Sequence, residues 1–481
     1  MKTVLLIVDA IFFLLSAYFT FESVRERETR APKVGGGLIL FSILLAILIA
    51  WVPVLRPLIA LFFALGVAGL IIFAIPTRPD EKILKGAQGH IVSDPIRHDE
   101  RDISFARIRS VPPGTPYYKK YYSMHPEREE PDAIRREKGL LGEPGRVDKR
   151  YRPNVAMMEA SFDMPNFLGP FSEASPGPES PPYETTPEKA TEIVKNLALT
   201  LGADMVGICK VNPNWVYSNR GEIFYDRWED WGKEIDPEEL PPYAVVMLTE
   251  MREDHVCAAP HTPTVAESAR NYGRGSYLSV VLAWWFSHMG YRGIAQNSRH
   301  YDIALPPLAV DAGLGEVGRL GYLIAPKFGA RVRIFAVLTD MPLVPDDPIS
   351  IGVDEFCKWC KKCAESCPSR SILMEDKVVY NGALKWKLDA ESCFDYWSKV
   401  GTDCSICMAV CPYSRPNTPL HRIVRWYVAR SRLAQKYFPV IDNFLYGRKW
   451  RPKPVPSWLD YPKGQEAVKE EYGLGKVNEF G

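Results

Sequence analysis

The feature that most constrains this chain is a ladder of cysteines from Cys357 to Cys411, which carries eight of the ten cysteines in 481 residues. Its first half reads Cys357-x2-Cys360-x2-Cys363-x3-Cys367-Pro368. Its second half is Cys393 followed by Cys404-x2-Cys407-x3-Cys411-Pro412, the tail of the same pattern behind a longer first gap. Runs with this spacing set three thiolates around one iron–sulfur cluster and send the fourth to a neighbouring cluster. A partner run is therefore required, and the second half provides it. A zinc site normally shows two Cys-x2-Cys pairs across a longer loop, without the third and fourth cysteines and the proline.

The ladder thus predicts two [4Fe–4S] clusters. By the crossed wiring of two-cluster ferredoxins, one is expected on Cys357, Cys360, Cys363 and Cys411, and the other on Cys393, Cys404, Cys407 and Cys367. Cys209 and Cys257 stand outside the ladder and read as small buried hydrophobes, which argues against a disulfide framework and for a reducing compartment. Lys and Arg number 59 against 58 Asp and Glu, a net charge of +1 with no basic block, so nucleic acid is not an expected partner.

Three apolar runs open the chain, at about 4–21, 38–55 and 57–76. Each is near the ~20 residues a helix needs to cross a bilayer, and together they read as a membrane anchor in residues 1–76. A cleaved signal peptide fits the first run poorly, because no small-residue cleavage site follows it and no twin-arginine precedes it. Asp9 lies inside the first run, either at the interface or as a buried contact between spans. Arg25, Arg27, Arg30 and Lys33 follow the first span, Arg56 alone lies between the second and third, and Arg78, Lys82 and Lys85 follow the third. Positive-inside counting puts the amino terminus outside and everything after residue 77 in the cytoplasm, on an inner membrane.

Residues 77–185 are rich in proline and charge without sustained periodicity, and read as an irregular arm wrapping a domain surface, since aromatic residues such as Tyr117, Tyr121 and Phe162 recur in it. Thr186 with Pro187 predicts a helix start, and Gly202 its end after Leu201. Strands are expected at 204–211, 243–249, near Ile294, at 322–325 and 332–338, with a helix over about 265–289, so that 186–345 forms an α/β domain. The dicluster unit occupies 346–415. In 416–481 a basic amphipathic helix over 420–438 either packs on the clusters or rests on the anionic inner leaflet, followed by a wrapping tail.

No Gly-x-Gly-x-x-Gly after a strand, Walker A loop or Asp-x-His-x-x-Gly is read, which weakens nucleotide, phosphate and His-on cobalamin readings. What remains is an α/β domain ahead of a two-cluster unit. With Asn271-Tyr272-Gly273-Arg274, then Asp311-Ala312-Gly313-Leu314-Gly315-Glu316-Val317-Gly318-Arg319, then the segment Pro326 to Arg333, then the cysteines, residues 186–415 resemble the corrinoid iron–sulfur reductive dehalogenases.

That resemblance implies a nitroreductase-like α/β fold holding a base-off cobalamin, with reductive dehalogenation of an organohalide as the activity. It implies Tyr272 as proton donor, supported by a basic residue matched to Arg333 or, less closely, Arg331. A family asparagine falls near 297–300, where this sequence departs and Asn297 and His300 are the candidates. Gly313, Gly315, Gly318 and Arg319, together with Asn297, are the implied cofactor-binding residues. The chemistry agrees, because a phenol with a pKa near ~10 donates readily only when a cation stabilises the tyrosinate left behind. Three fused spans depart from the usual respiratory member, which docks on a separate membrane protein. Expected partners are the organohalide, membrane lipid and an electron donor that is either quinol-linked or a cytoplasmic ferredoxin or flavodoxin; a homodimer is compatible. The alternatives are an epoxyqueuosine reductase-like cobalamin enzyme, which would be soluble with a tRNA-binding end, and a non-catalytic membrane ferredoxin, which would need no α/β pocket.

Overall fold

The computed structural model describes residues 1–137, 152–177, 180–224, 228–454 and 457–459. Helices Lys2–Arg25, Ala31–Trp51 and Pro53–Ala74 are each long and apolar enough to cross a membrane. The first two pack along one another, and Asp9 is buried between them, its Oδ1 accepting from Ser42 Oγ at 3.0 Å. Of the two placements the sequence left open for Asp9, the structure shows the contact between spans.

The expectation of an irregular arm over 77–185 is corrected. The segment contains helices Ser104–Ser110, Pro116–Met124, Glu129–Glu137 and Arg152–Leu168, and it ends in a strand, β1 (Glu173–Ala174). Proline misled the reading because it sits where helices tolerate it: Pro116 occupies the first turn behind Thr115, whose hydroxyl accepts from the Tyr118 N–H. Buried polar pairs also replace apolar periodicity here. Arg107 and Asp132 form a fully buried ion pair at 2.7 Å, and Tyr122 donates to the same carboxylate at 3.0 Å. The part of the arm over 138–151 lies outside the described residues.

The helix starting at Pro187 runs to Leu201, capped by the Thr186 hydroxyl on the Lys189 N–H and closed by Gly202 in the left-handed region. Strands β2 (Met205–Lys210), β3 (Tyr243–Glu250), β4 (Gly293–Gln296) and a long β7 (Val332–Thr339) join β1 in one sheet of order β1-β4-β7-β3-β2. Two short strands, β5 (Glu316–Val317) and β6 (Leu323–Ile324), pair separately. Every pairing in the five-stranded sheet is antiparallel, and Thr249 stands opposite Arg333 across β3 and β7.

The central strands are apolar at consecutive positions because both sheet faces are covered. On one face Val245, Met247 and Val337 pack against Leu278, Leu282 and Phe286 of the long helix Thr262–His288. On the other, Val246, Leu248 and Ala336 pack against Leu308 and Ala309 of helix Leu305–Asp311. Gly275 permits the closest approach of long helix and sheet, since a Cβ there would fall 2.0 Å from the Phe335 ring.

The cysteine-rich unit follows as helices Val353–Cys360, Lys362–Ser366, Ala390–Val400 and Ile406–Ala409 around the hairpin β8 (Val378–Tyr380) and β9 (Ala383–Lys385). The single helix expected at 420–438 is two, Pro419–Arg430 and Arg432–Tyr446. They break at Ser431, which takes an extended conformation and caps the second helix through its hydroxyl on the Ala434 N–H. The tail beyond residue 459 lies outside the described residues.

Candidate functional site

The eight ladder cysteines form no disulfide and fall into two groups. Burial raises the pKa of Cys357, and neighbouring Cys360 and Cys411 raise it further. Burial likewise raises Cys363, with Cys357, Cys360 and Cys411 as its neighbours. In the other group burial pushes Cys393 up to about 12 with Cys367 beside it, and Cys404 rises by burial and then by Cys393 and Cys367. Cys407 completes this group and also feels Cys411, so the groups adjoin. Among the described residues no three His, Cys, Asp or Glu side chains gather as a single ion would require.

The motif from Asp311 to Arg319 joins the sheet to the first cysteine group. Asp311 accepts from the Ala87 N–H at 2.7 Å and the Trp215 indole at 3.0 Å, anchoring the amino-terminal arm. Gly313 adopts φ +70° where a Cβ would meet the Asp347 carbonyl oxygen at 2.5 Å. Glu316 is buried, and burial raises its pKa against three backbone donors. Its carboxylate accepts from Ile351, Val353 and Asp354 N–H groups at 2.6, 3.3 and 3.3 Å, capping the helix that carries Cys357 and Cys360.

A Cβ at Gly315 would sit 2.1 Å from the Ile324 carbonyl oxygen, and one at Gly318 would press on Ile324. The Arg319 N–H donates to Cys357 Sγ at 3.4 Å, its Nε to the Cys357 carbonyl at 2.9 Å, and its guanidinium lies 4.2 Å from the centre of the Trp386 ring. The run from Gly313 to Gly318 does have Gly-x-Gly-x-x-Gly spacing, but it follows helix Leu305–Asp311 rather than a strand. Its glycines serve the joint to the cysteines.

Tyr272 projects from the long helix between Phe162, stacked at 6.0 Å, and Phe335, edge-on at 6.4 Å. Its hydroxyl makes no hydrogen bond to a described residue. The Arg333 guanidinium stands 5.3 Å from the Tyr272 ring centre. From there Arg333 Nη2 donates to Ser268 Oγ at 2.7 Å and to Asp403 Oδ2 at 3.2 Å, and Asp403 directly precedes Cys404. Burial works against the charge on Arg333, but Tyr272, Asp403, Tyr322 and Cys407 together hold its pKa above the ordinary arginine value. Tyr322 adjoins the same place, its pKa raised well above 10 by burial and then by Cys393 and Cys407. Arg333 thus lies between the phenol and the second cysteine group. Arg333 Nε and Asp403 Oδ1 are buried with no hydrogen-bond partner among the described residues.

Arg331 is placed elsewhere. It is fully buried and donates to the Ser414 carbonyl at 2.6 Å and to Glu250 Oε1 at 2.9 Å, clasping the segment after Cys411 to β3. Asn297 and His300 close the turn after β4. Asn297 Nδ2 donates to Ser172 Oγ at 3.1 Å, and His300 Nε2 lies 3.4 Å from Glu173 Oε1 and 3.6 Å from Asp302 Oδ2, so both serve the sheet edge at β1.

Sequence reasoning passed over three neighbours of the phenol. Ser268 and Asp403 orient Arg333. Arg299 lies 4.5 Å from the centre of the Phe224 ring, with its pKa lowered by burial and then Arg109, and within the electrostatic reach of Tyr272. The available signal was position: Asp403 adjoins a ladder cysteine, and Arg299 falls between Asn297 and His300.

With this geometry in hand, the chain can be set beside known proteins. The family model for a 4Fe-4S dicluster domain matches residues 356–414. The tetrachloroethene reductive dehalogenase of Sulfurospirillum multivorans is 35% identical over 301 residues, covering 56% of this chain and 59% of that protein. Over the matched residues this chain is similar to reductive dehalogenases. The trichloroethene reductive dehalogenase of Dehalococcoides mccartyi is 33% identical over 336 residues, 58% of each chain. The chain spans under three fifths of the length of these curated reductive dehalogenases.

Among solved structures, the catabolic reductive dehalogenase NpRdhA in complex with 3-bromo-4-hydroxybenzoic acid shares the fold with a TM-score of 0.59. It is 24% identical, over 79% of this chain and 54% of that one. A second solved reductive dehalogenase matches with a TM-score of 0.53 and 25% identity, over 70% of this chain and 55% of its own. The epoxyqueuosine reductase of Lactococcus garvieae is a more distant relative, 26% identical over 130 residues, 26% of this chain and 35% of its own.

Proposed function

We propose that this chain catalyses reductive dehalogenation, in which an organohalide takes up two electrons and a proton and leaves as the C–H product and halide. The observation that carries the reading is the position of Arg333, with the Tyr272 ring on one side and Asp403 and Cys407 on the other. Proton donor and electron source then meet through one guanidinium.

Cys357, Cys360, Cys363 and Cys411 would hold one cluster, and Cys367, Cys393, Cys404 and Cys407 the other; the two thiol groups support that crossed assignment. A base-off cobalamin, when bound, supplies the strongly reducing metal centre at which a carbon–halogen bond is broken. The free phenol of Tyr272 and the unpartnered Arg333 Nε and Asp403 Oδ1 fit the edge of such a site, where a bound group completes what the protein leaves open. Tyr272 gives its proton to the carbon that has lost halide. Arg333 stabilises the tyrosinate, and Ser268 and Asp403 hold Arg333 in place. Phe162 and Phe335 keep the phenol in an apolar wall. A chain that only relayed electrons would have no use for this pair.

The proposed division of labour is an anchor over 1–76, an arm over 77–185 that lends β1 to the sheet, the corrinoid-binding unit over 186–345 and the dicluster unit over 346–415. The catalytic part faces the cytoplasm. In support, the loop after the first span and the end of the third both bond to the globular part, through Glu26 with His421, Glu28 with Arg415 and Thr77 with Arg430. That side carries Arg25, Arg27, Arg30 and Lys33. The donor is quinol-linked or a soluble ferredoxin or flavodoxin.

The test is an inventory of the purified chain expressed with cobalamin available. About eight iron atoms and about one corrinoid per chain are expected, with halide released from a halogenated substrate under low-potential reductant. Zinc in place of iron, or iron without corrinoid, would refute the proposal.

A further inference from the structure

We infer that helices Pro419–Arg430 and Arg432–Tyr446 form an in-plane seat on an anionic bilayer surface, which holds the Cys357, Cys360, Cys363 and Cys411 group against the membrane. Each helix has one covered face and one bare face. On the covered side Val428, Ala434 and Pro439 are buried, Tyr427 and Phe438 join the core that also holds ladder cysteines of both groups, and Asp442 pairs with both Lys362 and Arg415. On the other side Leu433, Tyr437, Val440, Ile441 and Phe444 are all exposed, Val440 at 65% and Phe444 at 57%. Their spacing of four, three, one and three residues places them on one helical stripe. Ile423 and Trp426 continue the bare apolar surface on the preceding helix.

The membrane anchor identifies what covers this stripe. Tyr437 meets Phe73 at the end of the third span, edge-on at 6.3 Å, and Phe444 lies 5.6 Å under the Arg30 guanidinium at the start of the second. The two contacts are seven residues apart, about 10 Å along the helix axis, so the helix crosses the ends of two spans and runs along the boundary where they leave the hydrocarbon. Thr77, just past the third span, donates from its N–H to the Arg430 carbonyl at 2.8 Å and pins the break between the helices at the same level. An apolar stripe at that level, continuous with three lipid-facing spans, meets lipid. Exposed Arg422, Arg430, Arg432 and Lys436 flank it, with Arg430 over the Trp426 ring at 4.6 Å and Lys436 over Trp359 at 4.9 Å. Basic residues beside an interfacial apolar face select anionic headgroups. Helix Val353–Cys360, with Cys357, Cys360 and the exposed Trp359, packs against helix Arg432–Tyr446, whereas the second cysteine group faces Tyr272 through Arg333. The first group is thereby the one nearest the bilayer.

Photo-crosslinking of the full chain in nanodiscs of mixed phosphatidylglycerol and phosphatidylcholine tests this. p-Benzoylphenylalanine replaces Val440 or Ile441, and in a control replaces Leu199, which is 48% exposed on the helix Pro187–Leu201. The cluster absorbance of each variant confirms folding. Lipid adducts at 440 and 441, well above those at 199, with phosphatidylglycerol enriched over its share of the disc, are expected. Adduct yields at 440 and 441 no higher than at 199, crosslinks there to a second copy of the chain, or adducts that merely mirror the disc composition would overturn the inference.

Discussion

Replacing Arg333 by methionine removes one charge while keeping most of the side-chain volume, and the structure sets the size of the effect. The guanidinium stands 5.3 Å from the centre of the ring over which a tyrosinate charge is spread. At that separation and an effective dielectric near 20, one unit charge stabilises another by about 3 kcal/mol, roughly a hundredfold in rate. Losing Arg333 also leaves Asp403, whose side chain is 7% exposed, without its cation, so the residual site becomes more negative just where a tyrosinate would form. Arg333→Met is therefore expected to lower the single-turnover rate of dehalogenation by about a hundredfold or more. Arg333→Lys, which keeps a point charge but loses the fork to Ser268 and Asp403, should fall in between. In a Tyr272→Phe background the Arg333→Met change should add little, because the stabilised anion no longer forms. The assay is stopped-flow product formation with the cluster and corrinoid absorbances recorded in each variant. Equal losses from Arg333→Met in the presence and absence of Tyr272 would refute the coupling.

Two further outcomes follow from the same geometry. Cys367→Ala should disturb the cluster shared with Cys393, Cys404 and Cys407 and leave that of Cys357, Cys360, Cys363 and Cys411 intact, which electron paramagnetic resonance of the reduced chain reads directly; loss of the first cluster's signal instead would mean uncrossed wiring. Burial raises the Glu100 carboxyl to about 8 from 4.5, so its contribution is fully present below about pH 4.5 and is lost as pH rises through 8, a change of about 5 kcal/mol at the limit. Glu100→Gln keeps an oxygen for the Gly221 N–H, which lies 2.7 Å from Glu100, and should flatten the fall in thermal stability between pH 5 and 8. An unchanged slope would show that other groups govern it.

How much of this was legible in the sequence depends on what each segment uses to fold. The spans, the helix from Pro187 to Leu201 and strands β2, β3 and β7 declared themselves because apolar runs, a threonine cap and a glycine stop are local signals. The arm did not. Its helices are held by buried pairs such as Arg107 with Asp132, and partners 25 residues apart leave no period to read. The break at Ser431 was hidden because an amphipathic pattern continues through it, although a serine cap was there to find. At the site, Tyr272 and Arg333 were reached through a family resemblance and then found in contact. Arg331 lies two residues earlier, just ahead of β7, where it serves as a clasp to Ser414. Ser268 and Asp403 carry no motif of their own. They matter only because the fold brings the long helix and the loop before Cys404 to the same guanidinium.

The role of Tyr272 as proton donor is read from dehalogenation by the Tyr272→Phe variant, compared with the parent under one reductant and one halogenated substrate. Phenylalanine keeps the packing against Phe162 and Phe335 and removes only the acidic proton. If Tyr272 is the general acid, turnover should fall by about 100- to 10,000-fold while iron content, corrinoid content and both absorbance spectra stay at parental values. A variant that turns over near the parental rate with its cofactors in place would contradict the account and remove Tyr272 from the mechanism.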